Sequence, residues 1–421
     1  MYALVDCETM YASCEAVFRP DLRGKPIVVL SNNDGCIVAM NNVAKRLGMP
    51  MFEPYFKMKN ELGKLGVHVF SSNYELYGDL SSRIMDTLST FAADIHVYSI
   101  DEAFLDLRGH AFDKRQWSRD IIQTIQRDIG MPVRVGIGKT KTLTKVANVV
   151  AKKVARAKGV CCIDDEAQRE KILKIFPLSE VWGIGRKLTM RLGAEGITTA
   201  WQLAEADKTY LRKNFSVVVE RTALELQGTE CIPFHDEPED KKQIVVSRAF
   251  SQPITEVKPL QALTVDYLSK AMVKLRKHRL LVETLVVSAS SSRFADAYVS
   301  HHKVIKLAVP SNDTLAISNK VTEAIAAMFK PNSKYVRSMV CLSELRDEGF
   351  YQKDLLAEEQ TDRSMKLMAV MDEINKHHGN QVFIGSTGIK NDWAMARRMK
   401  SPNYTTSWAE LPIIKCEGRV V

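Results

Sequence analysis

A chain of 421 residues is too long for one ordinary hydrophobic core, so its length predicts two to four domains. Its hydrophobic content of 45% excludes wholesale disorder, and no apolar run approaches the roughly 18 residues that span a bilayer. The net charge of +9 is uneven, because residues 1–240 carry 32 basic and 32 acidic side chains whereas residues 241–346 carry 17 and 7. A local basic surplus of this kind is typical of a module that grips a polyanion.

The eight cysteines are scattered without a CxxC spacing, so they offer no zinc site and predict reduced thiols in the cytoplasm. The first residues lack a basic-then-apolar pattern, which predicts that there is no signal peptide. We therefore expect no membrane partner.

The chain opens with an apolar strand over residues 1–6 that ends at Asp6, followed by a short helix that carries Tyr11. Tyr11 is expected near whatever Asp6 binds, although a core aromatic would fit the same position. Residues 20–75 read as an insertion, with two strands joined by the turn signal at residues 32–35 and a helix that carries Lys45. A solvated helix face is the alternative for Lys45.

Residues 95–107 predict a β-hairpin in which apolar residues flank Asp101 and Glu102. Carboxylates held next to a core are costly unless a cation compensates their charge, and a divalent cation is the usual one. Together with Asp6, these residues could converge on one metal site. A surface turn with solvated acids is about equally consistent with Asp101 and Glu102 alone.

A helix over residues 117–129 and a strand over 132–138 complete a βαββαβ order, and an extra helix over 140–155 follows it. This order predicts a ferredoxin-like split sheet with both helices on one face. Lys145 and Lys152 lie seven residues apart on the last helix, so both follow one exposed side. A lysine across from the carboxylates could meet a triphosphate, whereas an ordinary solvated lysine face is the alternative.

Residues 177–207 predict a helix-hairpin-helix, in which glycines let backbone N–H groups approach a phosphate and basic residues add charge. The residues concerned are Gly183, Gly185, Arg186 and Lys187. Any glycine-bearing turn between two helices is the alternative.

After a polar, proline-bearing linker the βαββαβ order returns between residues 243 and 343, within the basic segment. Lys270, Lys274, Arg276, Lys277 and Arg279 cluster near a helix end, and the strands carry Arg248 and Arg293. We expect Arg248, Lys274 and Arg293 to contact DNA, and a solvated surface charge is the alternative for any single one of them. Beyond residue 347 the chain has little periodicity, which predicts a tail that docks on its own body or on a partner.

Four motifs stand together in the first 345 residues: Asp6 with Tyr11-Ala-Ser-Cys-Glu15, Tyr98-Ser-Ile-Asp101-Glu102-Ala-Phe, Gly136-Ile-Gly-Lys139-Thr-Lys141, and Gly183-Ile-Gly185. In order and spacing they resemble the Y-family translesion DNA polymerases. Residues 31–35, 71–77 and 400–406 are similar to the UmuC-like branch of that family, the catalytic subunits of bacterial DNA polymerase V.

The resemblance implies an α+β, multidomain right-hand architecture with a ferredoxin-like palm, inserted fingers, a helix-hairpin-helix thumb and a βαββαβ little finger. The implied boundaries are palm 1–19 and 76–165, fingers 20–75, thumb 166–232, linker 233–242, little finger 243–346 and a partner-binding tail 347–421.

The resemblance also implies the roles of single residues. Asp6, Asp101 and Glu102, with the backbone carbonyl of Cys7, match the ligands of two Mg²⁺ ions, for which Mn²⁺ could substitute. Tyr11 matches the steric gate that blocks a ribose 2′-hydroxyl. Lys45 and Lys152 match residues that bind the triphosphate.

Three departures from the family pattern concern nucleotide and clamp contacts. Asn42 stands where many members have a triphosphate-contacting tyrosine, and Met40 replaces what is often an arginine in close relatives. The peptide that includes Gln352, Leu355 and Leu356 resembles a sliding-clamp-binding motif but lacks its terminal aromatic residue.

The partners that the resemblance implies are primer-template DNA, dNTPs, a sliding clamp, a cleaved dimer of a LexA-like accessory protein (UmuD′-like) and a recombinase filament. The tail beyond residue 360 is the expected site for the accessory protein.

The function expected from these observations is error-prone DNA synthesis opposite damaged bases as part of the SOS response. A nucleotide cyclase also places metal-binding acids on a βαββαβ sheet, but it would need neither the helix-hairpin-helix nor the basic module. A non-catalytic damaged-DNA-binding checkpoint protein is the other alternative, and it would predict the loss of at least one acid, whereas all three are present.

Overall fold

The computed structural model describes residues 1–109, 112–235, 241–292, 295, 298–349, 360–378, 381–387 and 395–411. The chain divides into two units, one formed by Met1–Glu237 with Arg397–Val421 and the other by Pro238–Ala396. The predicted DNA contact Arg293 and the predicted clamp-binding residues lie outside the described residues; the latter are Gln352, Leu355 and Leu356.

The first part of the first unit alternates strands and helices in the following order: β1 Tyr2–Cys7, α1 Met10–Val17, β2 Ile27–Leu30, β3 Ile37–Met40, α2 Asn42–Arg46, α3 Tyr55–Lys64, β4 His68–Ser71, α4 Tyr74–Leu88, β5 Ile95–Val97, β6 Glu102–Asp106, α5 Lys114–Asp128, β7 Val133–Gly138, α6 Lys141–Lys153 and β8 Val160–Cys162. The predicted insertion therefore contributes β2 to β4 with α2 and α3. The hairpin predicted around the two acids is confirmed as β5 and β6.

A five-stranded sheet in the order β5-β6-β1-β7-β8 organises this unit. The central strand β1 is fully apolar up to Asp6 and pairs antiparallel with β6 and with β7. Ala3 and Val5 face a core that includes Ile84 of α4 and Ile121 of α5, so α4 and α5 cover one face of the sheet. The predicted ferredoxin-like arrangement is confirmed, and α6 covers the opposite face.

The contact between α6 and the sheet depends on Gly136 in β7. A Cβ atom added there would lie 2.3 Å from the backbone nitrogen of Asn148 and 2.5 Å from the carbonyl oxygen of Thr144, both in α6. Backbone atoms cannot move aside as a flexible side chain can, so a methyl group would push the helix away from the strand. This close approach is what brings the lysines of α6 to the carboxylates of the sheet.

We predict that Gly136→Ala lowers the free energy of unfolding by about 3 kcal/mol or more, because it overpacks a backbone contact. Thermal melting of the full chain measures the effect. Gly63→Ala is the matched control: Gly63 lies in α3 with nothing within 4 Å of an added Cβ, so this change should leave the melting temperature unchanged or slightly higher. Equal melting temperatures for both variants would contradict the close contact.

The insertion forms its own three-stranded sheet in the order β3-β2-β4, with β3 antiparallel and β4 parallel to β2. Asn41 starts α2 as its N-cap, accepting from the backbone N–H of Ala44 at 2.9 Å. Lys45 lies on this helix with an exposed side chain.

The rest of the first unit, up to residue 235, is helical: α7 Glu166–Ile175, α8 Arg186–Ala194, α9 Ala200–Glu205, α10 Lys208–Asn214 and α11 Val217–Gln227. The turn before α8 contains Gly183 with φ +86°, a left-handed conformation that favours glycine. The predicted glycine-bearing turn between helical segments is confirmed.

The second unit contains β9 Gln243–Ile254, α12 Val257–Lys277, β10 Leu280–Ser290, β11 Ser300–Ser311, α13 Thr314–Met328, β12 Tyr335–Asp347 and α14 Asp362–His378. The predicted βαββαβ order is confirmed, but its sheet order is β11-β10-β12-β9 and every paired strand is antiparallel. The two sheets therefore differ in topology although their elements follow in the same order.

One member of the predicted basic cluster has an internal role. Arg276 forms a two-pronged ion pair with Asp372 of α14, at 2.7 and 2.8 Å, and donates to the carbonyl of Asn312 at 2.9 Å. Its charge thus holds α14 against α12 instead of facing solvent with its neighbours. Among the described residues, no helix is both long and apolar enough to cross a membrane.

Candidate active site

Asp6 and Glu102 lie side by side on two neighbouring strands of the five-stranded sheet, where β1 ends and β6 begins. They are direct partners in the antiparallel register of β1 and β6, and their carboxyl groups share a hydrogen bond. Only 4% of Asp6 is exposed. The fold therefore brings together, at short range, two acids that lie 96 positions apart in the sequence.

Two lysines of α6, the helix that covers this face of the sheet, contact the carboxylate pair. The Lys152 ammonium lies 2.7 Å from Asp6, and the Lys145 ammonium is paired with Glu102. Lys145 also lies over the Tyr98 ring, 4.4 Å from its centroid. The two-turn spacing noted in the sequence thus places one lysine on each carboxylate.

The two carboxyl groups respond differently to the same environment. Burial and the hydrogen bond with Glu102 raise the pKa of Asp6 to about 7, against the opposing pull of Lys152. Burial also acts to raise the pKa of Glu102, but its hydrogen bonds with Asp6 and Lys145 outweigh that effect and hold the pKa below its usual range. Two adjacent buried carboxylates resist carrying two negative charges unless more positive charge is near.

Asp101 adjoins the pair through the backbone, because its carbonyl accepts from the Cys7 N–H at 2.8 Å. Its carboxylate accepts from the Ser99 hydroxyl at 2.5 Å. Burial, followed by the charges of Asp6 and Asp101, raises the pKa of Cys7 far above its ordinary value. The thiol therefore stays protonated, and the backbone carbonyl is the oxygen ligand that Cys7 can offer.

This arrangement suits a hard divalent cation, because its donors are carboxylate and carbonyl oxygens and because the raised pKa of Asp6 marks an excess of buried negative charge. Within the part of the chain that the structure describes, no three acidic, histidine or cysteine side chains stand together as a closed cluster. Asp6 and Glu102 are in direct contact, whereas the Asp101 side chain is turned toward Ser99.

Tyr11 lies in an aromatic group and is the second residue of α1. Its ring stacks on Tyr77 with centroids 4.8 Å apart and meets the edge of Tyr74 at 5.8 Å. Burial, followed by the nearby Tyr74 and the charge of Asp101, raises the pKa of the Tyr11 hydroxyl. Tyr11 is therefore close enough to Asp101 to interact with it electrostatically. Tyr11 is thus packed between two aromatic neighbours, and its role at the site stays a prediction.

Behind this aromatic group lies Glu15, a fully buried acid that sequence analysis did not single out. The Tyr77 hydroxyl donates to it at 2.5 Å, but burial dominates and raises its pKa to about 7 from an ordinary 4.5. A carboxyl group whose pKa is higher in the folded state destabilises the fold as it ionises. The penalty is absent below pH 4.5, grows as the pH rises and is complete above about pH 7.

We therefore predict that Glu15→Gln, which keeps an acceptor oxygen for Tyr77, gains stability over the unmodified chain at pH 8, by at most about 3 kcal/mol. The gain should shrink toward zero at pH 5. Chemical denaturation at the two pH values measures it, and all other titrating groups cancel in the comparison. A difference that does not depend on pH would contradict the raised pKa.

Glu8 connects the insertion to the five-stranded sheet. Glu8 accepts from Asn42 of α2 and pairs with Arg134 of β7. Asn42, noted above as a departure from the family pattern, is therefore engaged by an acid near the site. The register of β1 and β7 places Arg134 opposite Asp6, a signal that becomes readable only once the strands are paired.

The predicted DNA-contacting residues of the first unit lie on the surface around the start of α8: Gly183, Gly185, Arg186 and Lys187 are all exposed. The free N–H groups of a helix start make such a turn suitable for a phosphate. In the second unit, Arg248 and Lys274 are exposed as well.

Comparison with known families gives three matches. A family model described as "impB/mucB/samB family" matches residues 5–149, and the model of that family's C-terminal domain matches residues 241–355. A model described as "Domain of unknown function (DUF4113)" matches residues 365–414.

Similar proteins cover almost the whole chain. "Protein SamB" and "Protein UmuC" of Salmonella typhimurium are each 38% identical over 99% of this chain and 100% of their own length. "DNA polymerase IV 2" of Bacillus subtilis is 25% identical over 92% of this chain and 94% of its own. The solved structure of a "Y-family DNA polymerase chimera Dbh-Dpo4(243-245)-Dbh" covers 82% of this chain and 99% of its own at 23% identity, with a TM-score of 0.63. This last likeness shows the fold, a right-hand polymerase architecture.

Proposed function

The chain belongs to the impB/mucB/samB family, the UmuC-like branch of the Y-family DNA polymerases, and from that premise we propose that it extends primers past damaged template bases as part of the SOS response. The observation that carries the proposal is the buried Asp6–Glu102 pair with a lysine on each carboxylate. During phosphoryl transfer, the carboxylates of such a site can bind positive charge and its lysines can stabilise the negative charge of the phosphates.

Asp6, Asp101, Glu102 and the Cys7 carbonyl would hold two Mg²⁺ ions, with Mn²⁺ as a substitute. When bound, the ions would supply Lewis-acid stabilisation of the triphosphate and activation of the primer hydroxyl. The chain's own contribution would be to hold Asp6 and Glu102, the residue that follows Asp101, side by side and largely out of water, so that their negative charge is available to a cation.

Lys152 and Lys45 are proposed to bind the triphosphate of the incoming nucleotide. The Lys152 side chain is 38% exposed although its ammonium contacts buried Asp6, so it can turn toward an anion arriving from solvent. Lys45 points its charge outward from α2. Tyr11 is proposed to be the steric gate that excludes a ribose 2′-hydroxyl.

Backbone contacts to DNA are proposed for Gly183, Gly185, Arg186 and Lys187, and for Arg248, Lys274 and Arg293 in the basic segment. Support comes from exposure at the described positions and from the concentration of the net positive charge in residues 241–346. Contacts of this kind hold a duplex without reading its sequence, as lesion bypass requires.

We also propose the domain division given above as palm, fingers, thumb, linker, little finger and tail. Proposed partners are the sliding clamp, through Gln352, Leu355 and Leu356, a cleaved LexA-like accessory dimer and a recombinase filament. Their support is the family, whose member UmuC is similar over its whole length.

The direct test is single-nucleotide insertion on an undamaged primer-template with each dNTP in Mg²⁺, Mn²⁺ or a chelator. The proposal predicts that the complementary nucleotide is added in either metal and that nothing is added in the chelator. Unimpaired duplex binding without insertion under all conditions, with the accessory protein present, would favour the non-catalytic checkpoint alternative.

A further inference from the structure

Residues 397–411, here called the docked segment, return to the first unit and pair with the sheet of the insertion. The Ser71 N–H donates to the Met399 carbonyl at 3.1 Å, and the Met399 N–H donates to the Ser71 hydroxyl at 2.9 Å. The Arg398 N–H donates to Asp34 at 3.0 Å. The segment thus adds a backbone bridge beside β4, inside the region matched by the domain of unknown function.

The next residues of the docked segment are tied to the start of α4. The side-chain amide of Asn73 donates to the carbonyl and hydroxyl of Ser401, both at 3.0 Å, and to the carbonyl of Pro402 at 3.3 Å. The oxygen of the same amide caps α4 by accepting from the Leu76 N–H at 3.3 Å. Asn73 is fully buried, so these bonds have no competition from water.

Ser401 also reaches the acid behind the aromatic group. Its hydroxyl donates to the Glu15 oxygen Oε1 at 3.1 Å, and the Tyr77 hydroxyl donates to the same oxygen at 2.5 Å. Ser401 is 6% exposed, and Glu15 and Tyr77 are fully buried. One carboxylate oxygen therefore joins the docked segment, α1 and α4.

The far end of the docked segment is anchored independently. Tyr404 stacks on Phe18 with ring centroids 4.8 Å apart and packs against the core of the five-stranded sheet. At the near end, Arg397 pairs with Glu75 at 2.7 Å. Anchors on both sides keep Ser401 in place at Glu15.

Tyr77 in turn packs against Tyr11, because the two rings are stacked with centroids 4.8 Å apart and planes inclined by 17°. A ring that must exclude one hydroxyl group needs a fixed position, since a small displacement would open room for that group. The path from Ser401 through Glu15 and Tyr77 to Tyr11 consists entirely of described contacts.

We propose that the docked segment positions Tyr11, the proposed steric gate of the nucleotide site. Ser401, Glu15 and Tyr77 are the positioning residues for Tyr11. The proposal rests on the steric-gate role of Tyr11 given above. It assigns to this part of the domain of unknown function a role in discriminating deoxyribonucleotides from ribonucleotides.

The test measures kcat/KM for a ribonucleotide and for its deoxyribonucleotide on one undamaged primer-template, and compares their ratio among full-length variants. Ser401→Ala removes the hydroxyl that donates to Glu15 and accepts from Asn73. It should raise the ribonucleotide share about three- to tenfold, the range expected from the loss of the buried hydrogen bond to Glu15. Ser401→Thr, which keeps the hydroxyl, should restore discrimination. Ser407→Ala makes the same chemical change at a position in the segment with no contact to Glu15 and should leave the ratio unchanged.

Tyr11→Ala is the reference variant, because it tests the steric-gate role of Tyr11 separately from the positioning role of Ser401. If Tyr11→Ala raises the ribonucleotide share and Ser401→Ala does not, the positioning role is overturned and the gate stands. If Tyr11→Ala has no effect, both are overturned. Should Ser401→Ala fail to fold, Tyr404→Ala, which frees the segment at its other anchor, must raise the share for the proposal to hold.

Discussion

Asp101→Ala is expected to reduce nucleotide incorporation by at least about a thousandfold, because it removes a ligand from a site whose function is charge stabilisation in the transition state. Asp6 and Glu102 each have a lysine partner, whereas the described residues provide Asp101 with no cationic partner. Its negative charge is therefore the most available of the three. Asp101→Asn should be nearly as inactive, because it keeps the shape and removes the charge.

Single-turnover incorporation at saturating DNA and dNTP measures this effect, with duplex affinity measured in parallel. Affinity should remain near that of the unmodified chain, because Asp101 lies on the sheet edge and not among the proposed DNA contacts. Asp128→Ala provides the matched control, since this exposed acid pairs only with its neighbour Arg127 in α5. A large loss of DNA binding by Asp101→Ala would instead mark Asp101 as structural.

Tyr11→Ala is expected to raise the efficiency of ribonucleotide insertion relative to deoxyribonucleotide insertion by roughly a hundredfold, because discrimination by a clash is lost when the clashing group is removed. The ring is suited to this role because Tyr77 and Tyr74 hold it from two sides. Removing it leaves space that a 2′-hydroxyl can occupy.

Tyr11→Phe is the informative comparison, because it keeps the ring and removes only the hydroxyl. If the ring is the barrier, Tyr11→Phe should discriminate as the unmodified chain does. An increase in ribonucleotide insertion by Tyr11→Phe equal to that of Tyr11→Ala would mean that the hydroxyl, by hydrogen bonding, and not the ring, sets the selectivity.

The sequence predicted the parts of the fold that depend on local patterning. The apolar residues around Asp101 and Glu102 predicted the hairpin, and the apolar run that ends at Asp6 predicted the strand β1, which pairs with it. The seven-residue spacing of Lys145 and Lys152 predicted that both would lie on one side of α6. These features follow from periods of two and 3.6 residues, which the sequence displays directly.

Long-range contacts were not predictable in the same way. Nothing local to Glu15 indicates that Ser401, 386 positions later, will donate to it. Arg276 was grouped with other basic residues near a helix end, but its partner Asp372 lies in a helix whose placement the pattern does not reveal. The second sheet shares an element order with the first but not its strand order, because order along the chain does not determine which strands pair.

Primer extension on a template with one abasic site tests most directly whether the protein synthesises DNA across damaged template bases. The full-length chain is supplied with Mg²⁺ and dNTPs, with and without the cleaved accessory protein, beside Asp101→Ala. We expect the unmodified chain to incorporate a nucleotide opposite the abasic position in at least one arm and Asp101→Ala to do so in neither. Extension that stops one nucleotide before the abasic site in both arms, on a primer that is fully extended on undamaged template, would contradict it.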